Sequence, residues 1–300
     1  MKDHIYIIIA VFKRLEITRK CLESLKNQTF KNFTVILVDH CTGDDSYKSL
    51  IENEFPEVVL LKGDDSMWWT AATNFGINYV LNLKDTAESF ILTLNNDLIA
   101  GDDYLEQLMI TYNKYKPCLV GSVSVDFDDI NNVDFAGCHW NIYTTRMKDN
   151  FGKTGDIYKK IEKLDFIESD LLPGRGMLIP MEVFAKIGLF DNDLFPHYAS
   201  DFDFSHMARK AGYKLIISPK AIVRSMVKET GLRFDKLSTS KPSFKFLYLT
   251  QTSIKSPLNI KTRFNWAKKH TIISPAYFLI DTTRILLSYF RYTLKYYINK

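Results

Sequence analysis

Residues 4–39, HIYIIIAVFKRLEITRKCLESLKNQTFKNFTVILVD, hold two apolar runs on either side of a segment with a different period. HIYIIIAVF and FTVILVD are near-continuous apolar stretches of strand length, as strands covered on both faces require. ITRKCLESLKNQ, between them, repeats its apolar residues at helical spacing. Strand, helix, strand is the unit of a parallel sheet, because parallel neighbours need a long crossover. Working outward, EVVLLKG (57–63) is a third strand candidate, TAATNFGINYVLNL (70–83) a helix, SFILTLNND (89–97) a fourth strand and CLVGSVSVDF (118–127) a fifth. Residues 182–189 and 203–211 read as short helices, and KLIIS (214–218) as the strand that follows. With no internal repeat or low-complexity linker, the simplest division is one α/β domain to about residue 235 and a mainly helical tail over 236–300.

The composition, 46% hydrophobic and 25% charged over 300 residues, is that of a globular chain with enough material for a sizeable core, so disorder is not expected. Cys21, Cys41, Cys118 and Cys138 are widely spaced in or beside apolar segments, which favours free thiols in a reducing compartment such as the cytoplasm. MKDHIYIIIAVFKR carries an acid and a histidine ahead of its apolar run and no small-residue cleavage site, so it reads as a strand and not a targeting signal. No span of 18 uncharged apolar residues occurs, against a transmembrane helix. The net charge of +4 conceals an asymmetry: residues 255–300 hold nine Lys or Arg against Asp281 alone, +8, which leaves −4 for residues 1–254.

In open α/β sheets ligands bind beyond the carboxyl ends of the strands. The first strand ends in Ala10-Val11-Phe12, the second in Asp39 and the fourth in Asn95-Asn96-Asp97, so Asp39 and Asp97 should face one crevice. Neither G-x-G-x-x-G nor G-x-x-x-x-G-K-[ST] occurs, so a nucleotide would be held without those loops. H-E-x-x-H and Cys/His clusters are absent too, against a hydrolytic or structural zinc site. NND by itself is equally a turn sequence, since Asn and Asp favour turns.

Several blocks in order resemble a family 2 glycosyltransferase of the bacterial, rhamnosyltransferase-like branch, from Ile5 to about Tyr213. The first block, IYIIIAVFKRLEITRKCLESLKNQTF, resembles the family's opening strand, turn and helix; Ser24, Leu25, Gln28 and Thr29 match, and Lys13 stands where asparagine is usual. VILVDHCTGDDS resembles the strand and loop whose aspartate contacts the nucleotide base, here Asp39, with Asp44 and Ser46 matching and His40, Cys41 and Asp45 departing. GDDSMWWTAATNFGI resembles the segment covering the donor, with Asn74 and Gly76 in place. LTLNND resembles the acidic metal-binding motif, Asn95 replacing its first aspartate and Asp97 keeping its last.

That resemblance implies the GT-A nucleotide-diphospho-sugar transferase fold, a mostly parallel open sheet flanked by helices, with a donor half over about 1–120 and an acceptor half over about 121–235. It also implies inverting transfer of a hexosyl or deoxyhexosyl unit from a UDP- or dTDP-linked sugar to a glycan or lipid-linked saccharide, in cell-surface polysaccharide biosynthesis. Ala10, Val11, Asp39, Ser66, Trp69, Asn74, Asn95, Asn96 and Arg175 would then line the donor, and Asp97 would hold Mg2+ or Mn2+ at the diphosphate. Such a cation offsets the charge that builds on a leaving diphosphate, and one carboxylate suffices where phosphates and waters complete the shell.

The segment 174–215, GRGMLIPMEVFAKIGLFDNDLFPHYASDFDFSHMARKAGYKL, resembles the family's acceptor side and puts the catalytic base at Asp201. Ser200 stands where an acid is common and Met207 where arginine is common. A base opposite the leaving group removes the acceptor's hydroxyl proton; the other reading of Ser200, Asp201 and Asp203 is a helix cap. Arg175, between Gly174 and Gly176, could reach a phosphate or acceptor oxygen or form a surface ion pair. Trp68 and Trp69 could stack on a ligand or pack in the core, and His197 could touch the acceptor or be structural.

Many members use a histidine after the last sheet strand as a metal ligand, but PKAIVRSMVKETGLR (219–233) has none, leaving Arg224 or Lys228 to face the diphosphate. AYFLIDTTRILLSYFRYTLKYYI (276–298) interleaves apolar and aromatic residues with Arg284, Arg291 and Lys295. Peripheral membrane contact through 270–300, on the inner face of the cell membrane, leads there over packing on the domain or a homodimer; no nucleic-acid-binding motif is found. The competing functional readings are a catalytically impaired protein that binds sugar nucleotide or glycan within an assembly complex and, more distantly, nucleotidyl transfer.

Overall fold

The computed structural model describes residues 2–41, 43, 45–152, 157–226, 232 and 241–298. Asp44, Lys228 and the 235/236 boundary therefore lie outside the described residues. The chain divides into two compact units, one of Met1–His139, Lys148–Phe190 and Asp201–Lys228, the other of Trp140–Met147, Asp191–Ser200 and Glu229–Lys300.

The first unit opens with the predicted alternation: β1 (Ile5–Val11), α1 (Leu15–Lys26), β2 (Phe33–Asp39), α2 (Ser46–Glu54), β3 (Val59–Lys62), α3 (Trp69–Leu81) and β4 (Phe90–Thr93). Then come β5 (Leu98–Ala100), α4 (Tyr104–Tyr115), β6 (Cys118–Asp126), β7 (Val133–Phe135), β8 (Cys138–Trp140), β9 (Met147–Asp149), α5 (Ile157–Ile161) and β10 (Ile167–Glu168). β11 (Met177–Pro180), α6 (Met181–Ile187), α7 (Ser200–Lys210) and β12 (Lys214–Ser225) complete the series. The main sheet runs β10-β12-β6-β11-β4-β1-β2-β3, with β5 beside β12 and β7 beside β6; β8 and β9 form a small sheet of their own.

β4, β1, β2 and β3 are parallel, as are β6 and β12. The two parallel groups are joined by β11, which runs antiparallel to both β4 and β6. Register sets Val11, Asp39 and Lys62 in one row at the carboxyl ends of β1, β2 and β3.

β1 is apolar throughout because both its faces are covered. Ile5, Ile7, Ile9 and Val11 join a buried cluster with Cys21, Leu22 and Leu25 of α1, Tyr47 and Leu50 of α2, and Leu105 and Leu108 of α4. Ile8 points the other way, toward α3, where a Cβ on Gly76 would lie 2.7 Å from its Cγ2 and 3.1 Å from Val38 Cγ2. Gly76 is thus what lets α3 lie close on the sheet. Each fully buried aliphatic side chain contributes roughly 1.5–3 kcal/mol, so this two-sided core dominates the stability of the unit. All four cysteines are buried free thiols.

The second unit is built on α8 (Phe244–Thr252), α9 (Ile260–His270) and α10 (Ser274–Ile298). Asn259 caps α9, its Oδ1 accepting from the backbone N–H groups of Lys261 and Thr262. Buried Asp281 accepts from Arg263 at 2.8 Å and Arg284 at 2.7 Å. The Trp140 indole packs edge-on against Trp266 and donates to the Tyr277 hydroxyl at 3.0 Å. Residues 140–147 and 191–200 thus join the tail, through Lys269 on Asp191 (2.7 Å) and the Asn265 amide on the Leu194 carbonyl (3.0 Å). Among the described residues no helix is long and apolar enough to cross a membrane.

Candidate active site

β1 ends at Val11, and the chain then passes through two consecutive non-glycine residues with positive φ, Lys13 (59°) and Arg14 (65°). Side chains disfavour this left-handed region, so the surroundings must hold the loop there. The Tyr47 hydroxyl donates to the Lys13 carbonyl (2.5 Å), and Thr18 Oγ1 donates to the Arg14 carbonyl (3.2 Å). Asn96 Nδ2 donates to the same Thr18 hydroxyl at 2.8 Å. The middle residue of NND is therefore a brace between this loop and the turn after β4.

Its neighbours diverge. Asn95 accepts on Oδ1 from the Trp69 indole N–H at 3.2 Å. Asp97 stands apart from both, its carboxylate 19% exposed and facing Arg14 at 3.8 Å, while its carbonyl accepts from Met226 N at the end of β12. Burial pushes the Asp97 carboxyl above the ordinary carboxylate range, against the opposing pull of Arg14 and, more weakly, Arg175. A carboxylate kept partly open to solvent next to a strained, cationic loop is poised for a charged ligand.

Asp201 enters from α7. Its Oδ2 accepts from Gly174 N at 2.8 Å and its Oδ1 from Phe202 N at 2.9 Å, in the first turn of the helix. Burial raises this carboxyl as well, and the backbone donors and Arg175 lower it only in part. Arg175 lowers both the Asp97 and the Asp201 carboxyl weakly, as the smallest of the influences on each. The helix terminus thus fixes a carboxylate whose proton affinity burial raises. Asp203 lies in the same turn, buried.

Trp69 and Gly174 close the cluster. The indole packs edge-on against Phe190, with ring centroids 5.8 Å apart, and covers the Gly174 backbone. A Cβ on Gly174 would sit 2.5 Å from Trp69 Cη2 and 3.5 Å from Asp201 Cβ. The Gly174→Ala variant is expected to lose about 1–3 kcal/mol to overpacking against a rigid ring. Turnover is expected to fall by about an order of magnitude, since the displaced loop carries a donor to Asp201. Urea unfolding and steady-state rates check the two parts.

Other predicted residues lie elsewhere. Asp39 is fully buried at the end of β2, its Oδ2 held by Lys62 at 2.6 Å and its Oδ1 by the Cys41 N–H at 3.0 Å. Val11 is buried in β1 and its carbonyl accepts from His40 N; Ala10 is half-buried beside it. Ser66 turns back on Asp64, whose carboxylate takes both its N–H and its hydroxyl. Asn74 makes two hydrogen bonds to the Phe190 backbone, a structural tie. Arg224 donates to the Phe127 carbonyl at 3.2 Å. His197, in the second unit, packs edge-on against Tyr198.

The structure thus ties Trp69, Asn95, Gly174 and Asp201 together, with Asp97 and Arg175 within two residues of them along the chain. Sequence reasoning missed Arg14 as the partner of Asp97, and Lys62 as that of Asp39; the register of β2 with β3 is the signal that pairs the latter. Among the described residues no group of three His, Cys, Asp or Glu side chains could hold a metal. Asp97 offers a partly open carboxylate and the neighbouring Asn95 Oδ1 already accepts from Trp69, so a cation held there would take its other ligands from a bound anion and water.

A family model described as Glycosyl transferase family 2 matches residues 6–185. The chain is 25% identical over 214 residues to Uncharacterized glycosyltransferase RP339 of Rickettsia prowazekii (strain Madrid E), covering 68% of this chain and 59% of that protein. It is 23% identical over 188 residues to Glycosyltransferase GlyA of Streptococcus pneumoniae serotype 4, with 62% and 25% covered. Uncharacterized glycosyltransferase R139 of Acanthamoeba polyphaga mimivirus is 30% identical over 131 residues, with 38% and 52% covered. The chain therefore spans less than two thirds of the length of these relatives. In three dimensions it resembles the crystal structure of GalNAc-T7 with UDP, GalNAc and Mn2+, with a TM-score of 0.60 and 14% identity, covering 89% of this chain and 50% of that one. The fold is accordingly GT-A-like: a mixed sheet flanked by helices, with a helical tail.

Proposed function

This chain belongs to glycosyl transferase family 2, and from that premise we propose that it transfers a hexosyl or deoxyhexosyl unit, with inversion, from a UDP- or dTDP-linked sugar to a glycan or lipid-linked saccharide. The observation that carries the reading is a pair of half-buried carboxylates in different settings, Asp97 facing Arg14 and Asp201 held by the backbone N–H groups of Gly174 and Phe202. One carboxylate facing a guanidinium and a second held by backbone donors suit a reaction in which one side faces a phosphate and the other a hydroxyl.

In this mechanism Asp201 removes the acceptor hydroxyl proton as the oxygen attacks the sugar carbon. Its two backbone donors aim the carboxylate, and burial makes it a stronger base than an exposed one. Arg175 and Arg14 offset charge on the departing diphosphate. Asp97 would hold a Mg2+ or Mn2+ ion, which supplies electrostatic neutralisation of the leaving group. Trp69 would cover the sugar, fixed in orientation by Asn95. Asp39 would reach the base through exchange of the Lys62 contact.

The same reading comprises a catalytic domain over 1–235, membership of the rhamnosyltransferase-like branch, a role in cell-surface polysaccharide biosynthesis and a peripheral location on the inner face of the cell membrane. The test is release of nucleoside diphosphate from a panel of UDP- and dTDP-sugars, with and without Mn2+ or Mg2+ and with acceptor saccharides. Turnover of one donor is expected, faster with the cation. Donor binding without turnover under every acceptor would favour the impaired, glycan-assembly reading, for which Asn95, Ser200 and Met207, in place of the family's usual residues, are the supporting features.

A further inference from the structure

α10 buries one face and leaves the other to solvent in a pattern set by its own period. Tyr277, Asp281, Ile285 and Tyr289, four residues apart, form the buried row. On the opposite side Leu279, Leu286, Leu287, Phe290, Leu294 and Ile298 are exposed, Leu279, Leu287 and Leu294 by 67, 63 and 62%. At 3.6 residues per turn their directions fall within an arc of about 120°. The stripe starts just after Ile272, which is 96% exposed, and continues along a helix of 25 residues, about 37 Å. That is a larger run of uncovered aliphatic surface than scattered exposed residues produce.

The charges along one border of the stripe all have the same sign. At 3.6 residues per turn Arg291, Arg284 and Lys295 project about 20°, 40° and 60° beyond one edge of the apolar arc. The one acid in residues 241–298 is Asp281, which is buried and already paired with Arg263 and Arg284. An apolar stripe edged by cations, on a helix that itself carries no exposed carboxylate, complements an apolar phase whose boundary is anionic. A second copy paired through the same face of α10 would bring the same cations to the contact, and the helix's one acid, Asp281, is already paired.

We infer that this face of α10 lies in the plane of an anionic lipid surface, its leucines in the acyl boundary and Arg291 and Lys295 at the phosphate level. The inference deepens the peripheral location in the reading above by naming the surface and the lipid chemistry. Vesicle binding is measured without turnover, so either can fail alone.

The full chain would be sedimented with vesicles of phosphatidylcholine and of phosphatidylcholine containing phosphatidylglycerol. Binding to the anionic vesicles is expected to be at least about tenfold tighter than to the neutral ones and to weaken with salt. The variant Leu287→Ser/Leu294→Ser is expected to lose binding, and Arg291→Glu/Lys295→Glu to weaken it roughly tenfold or more, each with an unchanged thermal midpoint because these side chains are exposed. Equal binding to both vesicle types, full binding by either variant or no binding at all would overturn the inference. So would light scattering that shows a dimer in the parent chain and a monomer in Leu287→Ser/Leu294→Ser, since a second copy would then occupy the face.

Discussion

Asp201→Asn is expected to reduce sugar transfer by about 10²–10⁴-fold while leaving donor affinity within about twofold of the parent. An amide cannot take the hydroxyl proton, so the loss falls on the chemical step. The substitution also has a structural cost, because the carboxylate accepts from both Gly174 N and Phe202 N. Asn offers one oxygen, so its NH2 group must face one of those donors, at a cost of about 1–3 kcal/mol. A lower thermal midpoint is therefore part of the expected result, and donor titration by calorimetry shows that the variant is folded. In the parent, burial raises the Asp201 pKa, so protonation disables the base at a higher pH than for an exposed acid. The rate should fall as pH drops through that raised value, placing the acid limb of kcat/KM above the ordinary carboxylate range. Turnover within tenfold of the parent in the Asn variant would remove Asp201 from the chemistry.

The difference between what was legible in the sequence and what was not follows from the range of the interactions. β1, β2 and β4 were readable because both their faces are buried, which leaves an unbroken apolar run. β11 was not: Met177–Pro180 is four residues following a glycine-rich turn, and only its insertion between β4 and β6 makes it a strand. NND was legible as the end of a strand at a crevice, yet the three side chains do three different things. Asn95 meets an indole 26 residues away and Asn96 a hydroxyl 78 residues away. No local pattern encodes either contact. Asp201 stands out in the sequence by its motif alone, whereas its tie to Gly174 depends on how the 174–176 turn meets α7. Asp39 illustrates the converse, since its position was predicted and its burial against Lys62 was not.

Asp97→Asn is expected to separate function from stability in the opposite sense to Asp201→Asn. The folded-state pKa of Asp97 is raised, chiefly by burial, so the folded protein binds that proton more tightly than the unfolded chain does. The stability contributed by this group is fully present below the ordinary carboxylate range and is lost as pH rises through the folded-state value. At pH 7 the ionised side chain is therefore a liability, and an isosteric amide removes it. The ion pair lost with it is weak: Arg14 lies 3.8 Å away and its side chain is 43% exposed, so it offsets little. The thermal midpoint should rise by roughly 1–3 °C at neutral pH, and the gain should shrink as the solution is made acid. Function should move the other way. If Asp97 holds the cation at the diphosphate, the amide lowers kcat/KM by about 10²-fold or more and flattens the response to Mn2+, with donor affinity weakened as well. Loss of donor affinity distinguishes this acid from Asp201, whose substitution leaves binding in place. A variant that is stabilised but keeps both its donor affinity and its Mn2+ response would move Asp97 out of the donor site, leaving Arg14 and Arg175 as the groups that meet the diphosphate.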